Sequence, residues 1–236
     1  MTRSIRHRGT FPEKPKSYGY SAERSPLSIW RHDRKKVELL VFAGIHGEEP
    51  DTTMLLSRAL RSTDRLSPSC AVVLCANPDG LRLGTRGNAN GVDLNRNFPS
   101  ANWQPDPVLH QWQVDAAREV ELSPGPAPAS EPEVQALIRL VEDLEPACVV
   151  SVHSPLGLID DPDSHPIGAA LAARSGLPRE VIPNEHTPGS FGSWARDIGL
   201  ASVTYELPNQ TVWDMLPTHL PVLLALLEEG IGLAPR

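Results

Sequence analysis

Four short apolar runs, each set apart from the next by residues of helical periodicity, limit this chain to an α/β fold. The runs are residues 37–43 (VELLVFA), 71–76 (AVVLCA), 147–152 (ACVVSV) and 201–207 (ASVTYEL). Runs this short, continuous and rich in β-branched residues read as strands buried on both faces of a sheet. After Asp51, the expected cap, Met54, Leu55, Ala59 and Leu60 form a helical stripe. Over residues 131–144, Val134, Leu137, Ile138 and Val141 share one helix face, and Ser130 with Glu133 makes a capping-box pattern. Residues 165–174 and 218–229 are further predicted helices, the second with Pro221 in its first turn. The expectation is one domain over residues 1–236, a mixed, mostly parallel twisted sheet flanked by helices. Residues 1–30 are expected to be irregular, and residues 98–128 mainly loop.

Charge and cysteine usage exclude several function classes. A formal charge of −7 and a pI near 5.6 disfavour nucleic acid and anionic membranes as partners. The basic start is followed by no apolar run of a secretory leader, and no stretch approaches the roughly 20 apolar residues of a membrane span. A cytoplasmic protein is therefore expected. The three cysteines, Cys70, Cys75 and Cys148, form no CxxC pair, which fits buried thiols and argues against a thiolate metal site.

The chemistry concentrates where the strand runs end. His46 and Glu49 follow the first run in a tight turn, in the HxxE spacing that puts an imidazole and a carboxylate on one side. HxxE alone is a weak signal. His153 ends the third run, so two histidines and a glutamate lie at the carboxyl ends of strands, where open α/β sheets place their sites. That is the donor set of a catalytic zinc: three protein ligands and one open position. Glu206 lies at the end of the fourth run, one residue before Leu207 and on the face opposite Tyr205; alone it reads as a solvent-facing strand terminus, and beside the other three it reads as a general base. Glu48 reads as a solvated neighbour of the pair.

These four residues, with the segment RGNANGVDLNRNFP over residues 86–99, resemble the zinc carboxypeptidase family. The family's HxxE, distant histidine, GVDLNRNF-like motif and late glutamate occur here in the same order. The resemblance implies one zinc ion per chain on His46, Glu49 and His153, with Glu206 as catalytic base. It also implies that Arg86 stabilises the oxyanion, that Asn95 and Arg96 bind the substrate's terminal carboxylate, and that Asp93 orients His46. Asn77-Pro78-Asp79-Gly80 and the segment 187–194 narrow the match to a branch acting on bacterial cell-wall peptide. The implied substrate is the small tripeptide L-Ala-γ-D-Glu-meso-diaminopimelate, cut before the diaminopimelate during cytoplasmic recycling.

The region before Glu206 carries no tyrosine over residues 184–191, where the pancreatic members have a mobile one. The proton donor to the leaving amine then falls to Glu206 itself, with His186 a weaker candidate. Residues 160–163, an acidic turn after His153, are a candidate for the distal amine of diaminopimelate or a plain surface turn. Two other functions fit parts of the pattern: an N-acyl amino-acid deacylase with the same zinc set, and a non-catalytic wall-peptide binder. The sequence leaves the oligomeric state open, a homodimer included.

Overall fold

The computed structural model describes residues 9–33, 36–112 and 118–233. Its centre is an eight-stranded sheet. The strands are β1 Lys16–Tyr20, β2 Pro26–Arg31, β3 Leu39–Ala43, β4 Cys70–Val73, β7 Cys148–His153, β8 Leu156–Asp160, β9 Arg179–Glu180 and β10 Ala201–Pro208. Their order is β1-β2-β4-β3-β7-β10-β8-β9, and β5 Val108–Trp112 pairs separately with β6 Arg118–Leu122. The central pairs β4/β3, β3/β7 and β7/β10 are parallel, while β1/β2, β2/β4 and β10/β8 are antiparallel.

Side-chain parity divides the core into two layers. Leu39, Val41 and Ala43 of β3, Cys148, Val150 and Val152 of β7, and Val203, Tyr205 and Leu207 of β10 all face one side. There they pack on α1 Pro50–Ser62, α4 Pro166–Ser175 and α6 Val212–Glu229. Leu40, Phe42 and Val149 face the other side, under α3 Pro132–Leu144 and α5 Phe191–Asp197. On that second face β7 and β10 stop being apolar: their residues there are Ser151, His153, Ser202, Thr204 and Glu206. Those polar groups, in the middle of a sheet, are the floor of the site.

Several elements differ from the sequence expectation. The N-terminal segment is not irregular throughout: β1 and β2 form a hairpin that extends the sheet through Trp30 and Arg31 on β4. The short Lys-Ser-Tyr-Gly-Tyr strand carries a bulge and little apolar pattern, so periodicity misses it. The expected loop 98–128 contains the β5/β6 ladder. Helix α1 begins at Pro50 with Glu49 at the cap position, so Asp51 lies in the first turn instead. Helix α3 is capped at Glu131, not Ser130, whose hydroxyl donates to the Glu131 carboxylate. Helix α6 starts six residues before the predicted position, where the Thr211 side chain accepts from Asp214 N–H. Pro217 and Pro221 sit inside it, on its exposed face, where water can take the carbonyls they leave free. By length and composition α6 and its following turn are apolar enough to cross a membrane. Its Met215, Val222, Leu223, Leu226 and Leu227 are instead core residues.

Candidate active site

The chain turns sharply where β3 ends. Gly44 has φ +62°, and Gly47 lies so close to Gly80 that a Cβ would stand 2.0 Å from the Gly80 carbonyl carbon. Asn77 ties this turn from the side: its Nδ2 donates to Ile45 O and its Oδ1 accepts from Gly80 N–H, capping α2 Pro78–Leu83. The turn thereby brings His46 and Glu49 against the end of β7. His46 Nδ1 lies 2.7 Å from Glu49 Oε1, and His153 Nδ1 lies 3.4 Å from Glu49 Oε2. All three residues are buried, and one donor atom from each falls within 4.8 Å of the others.

Around this triad stands a ring of charges. Asp93 Oδ1 is 3.3 Å from His46 Nε2 and accepts from Asn95 N–H, while Asp93 Oδ2 accepts from Arg86 Nε at 2.9 Å. Arg86 Nη1 reaches Glu48 at 3.1 Å. Glu48 is therefore not a solvated neighbour: its side chain is 10% exposed and anchors Arg86. Burial works against ionising Glu49 and Asp93, but His46 and His153 outweigh it at Glu49, and Arg86 and His46 at Asp93, holding both carboxyls below the usual range. Burial likewise opposes charge on His46, and Glu49 and Asp93 overcome it, raising its pKa.

Glu206 lies beside His153 in the β7/β10 register and accepts weakly from Leu156 N–H at 3.4 Å. Burial, then the Glu49 carboxylate, pushes its pKa up against the pull of His153. A carboxyl displaced upward in this way exchanges a proton near neutral pH more readily than an ordinary glutamate. His46, Glu49, Arg86, Arg96, His153 and Glu206 all line one cleft of about 960 Å³.

A zinc carboxypeptidase sequence model matches residues 13–159. The chain belongs to the zinc carboxypeptidase family. Murein peptide amidase A of Escherichia coli (strain K12) is 45% identical to it over 214 residues, 88% of this chain and 87% of that protein. Murein peptide amidase A of Vibrio campbellii (strain ATCC BAA-1116) is 38% identical over 223 residues, 94% and 90% of the two chains. The crystal structure of murein-tripeptide amidase MpaA from Escherichia coli O157 superimposes with a TM-score of 0.90 at 41% identity, covering 100% of this chain and 98% of that one. Bovine thrombin-activatable fibrinolysis inhibitor, at 19% identity and a TM-score of 0.69 over 90% and 88% of the two chains, shares the fold.

As a zinc carboxypeptidase the chain is a hydrolytic enzyme, and the triad suits its metal. Two imidazole nitrogens and a carboxylate are ordinary zinc donors, and ligands around a tetrahedral ion with bonds near 2.0 Å lie about 3.3 Å apart; His153 Nδ1 and Glu49 Oε2 stand at that separation, 3.4 Å, while His46 Nδ1 and Glu49 Oε1 are closer, at 2.7 Å. His46 Nε2 and Asp93 Oδ1 stand behind the triad, in the position of a carboxylate that fixes a ligand's tautomer.

Asn95 and Arg96 come from the motif segment, in a short 3₁₀ turn over Leu94–Arg96. Asn95 Oδ1 accepts from Phe191 N–H, leaving its amide nitrogen for a ligand. Arg96 donates from Nη1 to Asn95 O, and its Nε is buried with no partner among the described residues. Phe98 locks the turn in place: it is fully buried among Phe191 and Trp194, and Phe191 packs edge-on against Phe42. His186 lies exposed on the cleft wall. Of the acidic turn, Asp160 and Asp163 line the cleft, whereas Asp161 is buried, pairing with Arg179 and accepting from His165 N–H. Sequence reasoning gave no role to Asn77, Ser151, Thr204 or Arg196. The alternation Ser-Val-His against Ser-Val-Thr-Tyr-Glu was the available signal, since it sets polar groups at every second position of two buried strands.

Proposed function

We propose that this zinc carboxypeptidase cleaves the amide between γ-D-glutamate and meso-diaminopimelate in the cell-wall tripeptide L-Ala-γ-D-Glu-meso-diaminopimelate. One observation carries the reading on the structural side. The cleft joins the metal-binding triad to a half-buried arginine, Arg96, whose buried Nε has no partner among the described residues, so it selects peptides by a carboxylate next to the scissile bond. The named relatives, murein peptide and murein-tripeptide amidases, supply the class of peptide.

In this reading His46, Glu49 and His153 hold zinc, and Asp93 orients His46. Zinc supplies Lewis acidity there, making water a stronger acid and a carbonyl a better electrophile. Glu206 takes the proton from the attacking water and passes it to the departing amine, the role its raised pKa suits. Arg86, fixed by Asp93 and Glu48, faces the negative charge that develops on the carbonyl oxygen. Arg96 and the Asn95 amide hold the carboxylate of the residue being released. The setting that goes with this reading is the cytoplasm, where released wall tripeptide is reused.

Product analysis of the purified protein on the tripeptide tests the proposal. Release of free meso-diaminopimelate that stops with a zinc chelator supports it. No release under conditions that keep the protein folded and zinc-loaded refutes it.

A further inference from the structure

The register of the sheet lays the cleft floor in rows. Glu206 of β10 pairs with His153 of β7 and Leu158 of β8. Two residues back along the strand, Thr204 pairs with Ser151 on one side and Asp160 on the other. Side chains two apart on a strand share a face, so the second row lies under the same cleft, about 6.7 Å from the first. The first row carries the reacting groups. The second, Ser151–Thr204–Asp160, is polar throughout and all three residues line the cleft. Ser151 Oγ donates to Thr204 Oγ1 at 3.3 Å, so the Ser151 hydroxyl is engaged within the row. Asp160 is different: its Oδ1 accepts from Ile182 N–H at 2.9 Å, which fixes the carboxylate at the end of the row.

Arg196 supplies the opposite charge. It projects from the outer face of α5, whose Phe191 and Trp194 are packed on the core, and it lines the same cleft. Burial pushes the Asp160 carboxyl up, and the nearby Arg196 guanidinium pulls it back. No hydrogen bond or ion pair among the described residues holds the guanidinium elsewhere.

We infer that Asp160 and Arg196 form the receptor for a second amino-acid terminus on the released residue, Asp160 taking its ammonium and Arg196 its carboxylate. This rests on the function proposed above. Meso-diaminopimelate carries one α-amino-acid group at the scissile bond and another at the far end of three methylenes. That span matches the step from the catalytic row to the Asp160 row. Arg96 and Arg196 then read the two carboxylates, and Asp160 separates a zwitterionic end from a neutral one. A peptide ending in lysine satisfies only Asp160, and one ending in 2-aminopimelate satisfies only Arg196.

The test uses three tripeptides, L-Ala-γ-D-Glu followed by meso-diaminopimelate, L-lysine or L-2-aminopimelate, with full-length zinc-loaded enzyme. Asp160→Asn keeps an acceptor for Ile182 N–H and removes the charge. It is expected to lower kcat/KM about two- to fivefold for the diaminopimelate and lysine peptides, the scale of a partly exposed ion pair, and to leave the aminopimelate peptide unchanged. Arg196→Gln is expected to lower it by a similar factor for the diaminopimelate and aminopimelate peptides and to spare the lysine peptide. Misfolding or a general loss of activity lowers all three together, so this crossed pattern is specific. Uniform effects across the three substrates, or wild-type ratios in both variants, overturn the assignment while leaving the proposed function standing. A wild-type enzyme that cleaves none of the three overturns both.

Discussion

Asp93 Oδ1 stands 3.3 Å from His46 Nε2, on the side of the ring away from Glu49. In the proposed function, a carboxylate at this place would fix which nitrogen of His46 carries the proton and leave Nδ1 to the metal. Asp93 also accepts from Arg86 through its other oxygen, so one side chain contacts both His46 and Arg86.

Asp93→Asn is expected to weaken zinc binding by about ten- to hundredfold, since an amide can present its nitrogen to His46 and favour the wrong tautomer. Competition against a chromophoric zinc chelator measures this. Wild-type affinity in the variant means Asp93 does not orient the ligand.

Glu206→Gln is expected to keep stoichiometric zinc and lose about 10²- to 10⁴-fold in kcat on the tripeptide. Metal analysis alongside steady-state rates separates the two quantities. A variant that turns over at the wild-type rate removes Glu206 from proton transfer.

Phe98→Ala is expected to cost about 3–5 kcal/mol of stability, because the ring is fully buried, stacked on Trp194 and edge-on to Phe191. Urea unfolding reads the loss. Phe98 lies two residues after Arg96 and its N–H bonds to Gly189 O, so KM is expected to rise as well. A stability change below about 1 kcal/mol means the aromatic cluster does not anchor the motif turn.

His219 couples stability to pH. Its ring is buried against Tyr205, with Nδ1 2.7 Å from the phenol oxygen, and burial lowers its pKa. The folded protein therefore binds this proton less readily than the unfolded chain. The His219 contribution is complete above the unfolded pKa near 6.5 and is lost as pH falls from there toward the lower folded value. Urea unfolding at pH 7.5 and 5.5 is expected to show a smaller drop in His219→Gln than in wild type. Equal drops place the pH sensitivity elsewhere.

The sheet core was legible because its four central strands are short, mostly apolar runs, and the grouping of His46, Glu49, His153 and Glu206 because each lies at the end of such a run or just beyond it. What escaped was of three kinds. The β1/β2 and β5/β6 hairpins are short and mixed in polarity, so nothing in their pattern separates them from loop. The start of α6 was hidden by Pro217 and Pro221, which signal a break in sequence yet here face solvent. Glu48 was misjudged because its burial depends on Arg86, 38 residues away, and no local pattern records that pairing.

The two-residue repeat that separates core from floor in β7 and β10 also restricts how this enzyme can diverge. Inserting or deleting one residue in either strand would trade Val152 for His153 and Tyr205 for Glu206, turning the chemistry into the packed layer and the packing into the water. Length is therefore closed to variation along these strands, while the identity of each floor residue stays open. New substrate preferences can be written one side chain at a time at positions 151, 160 and 204, without moving the groups that break the bond.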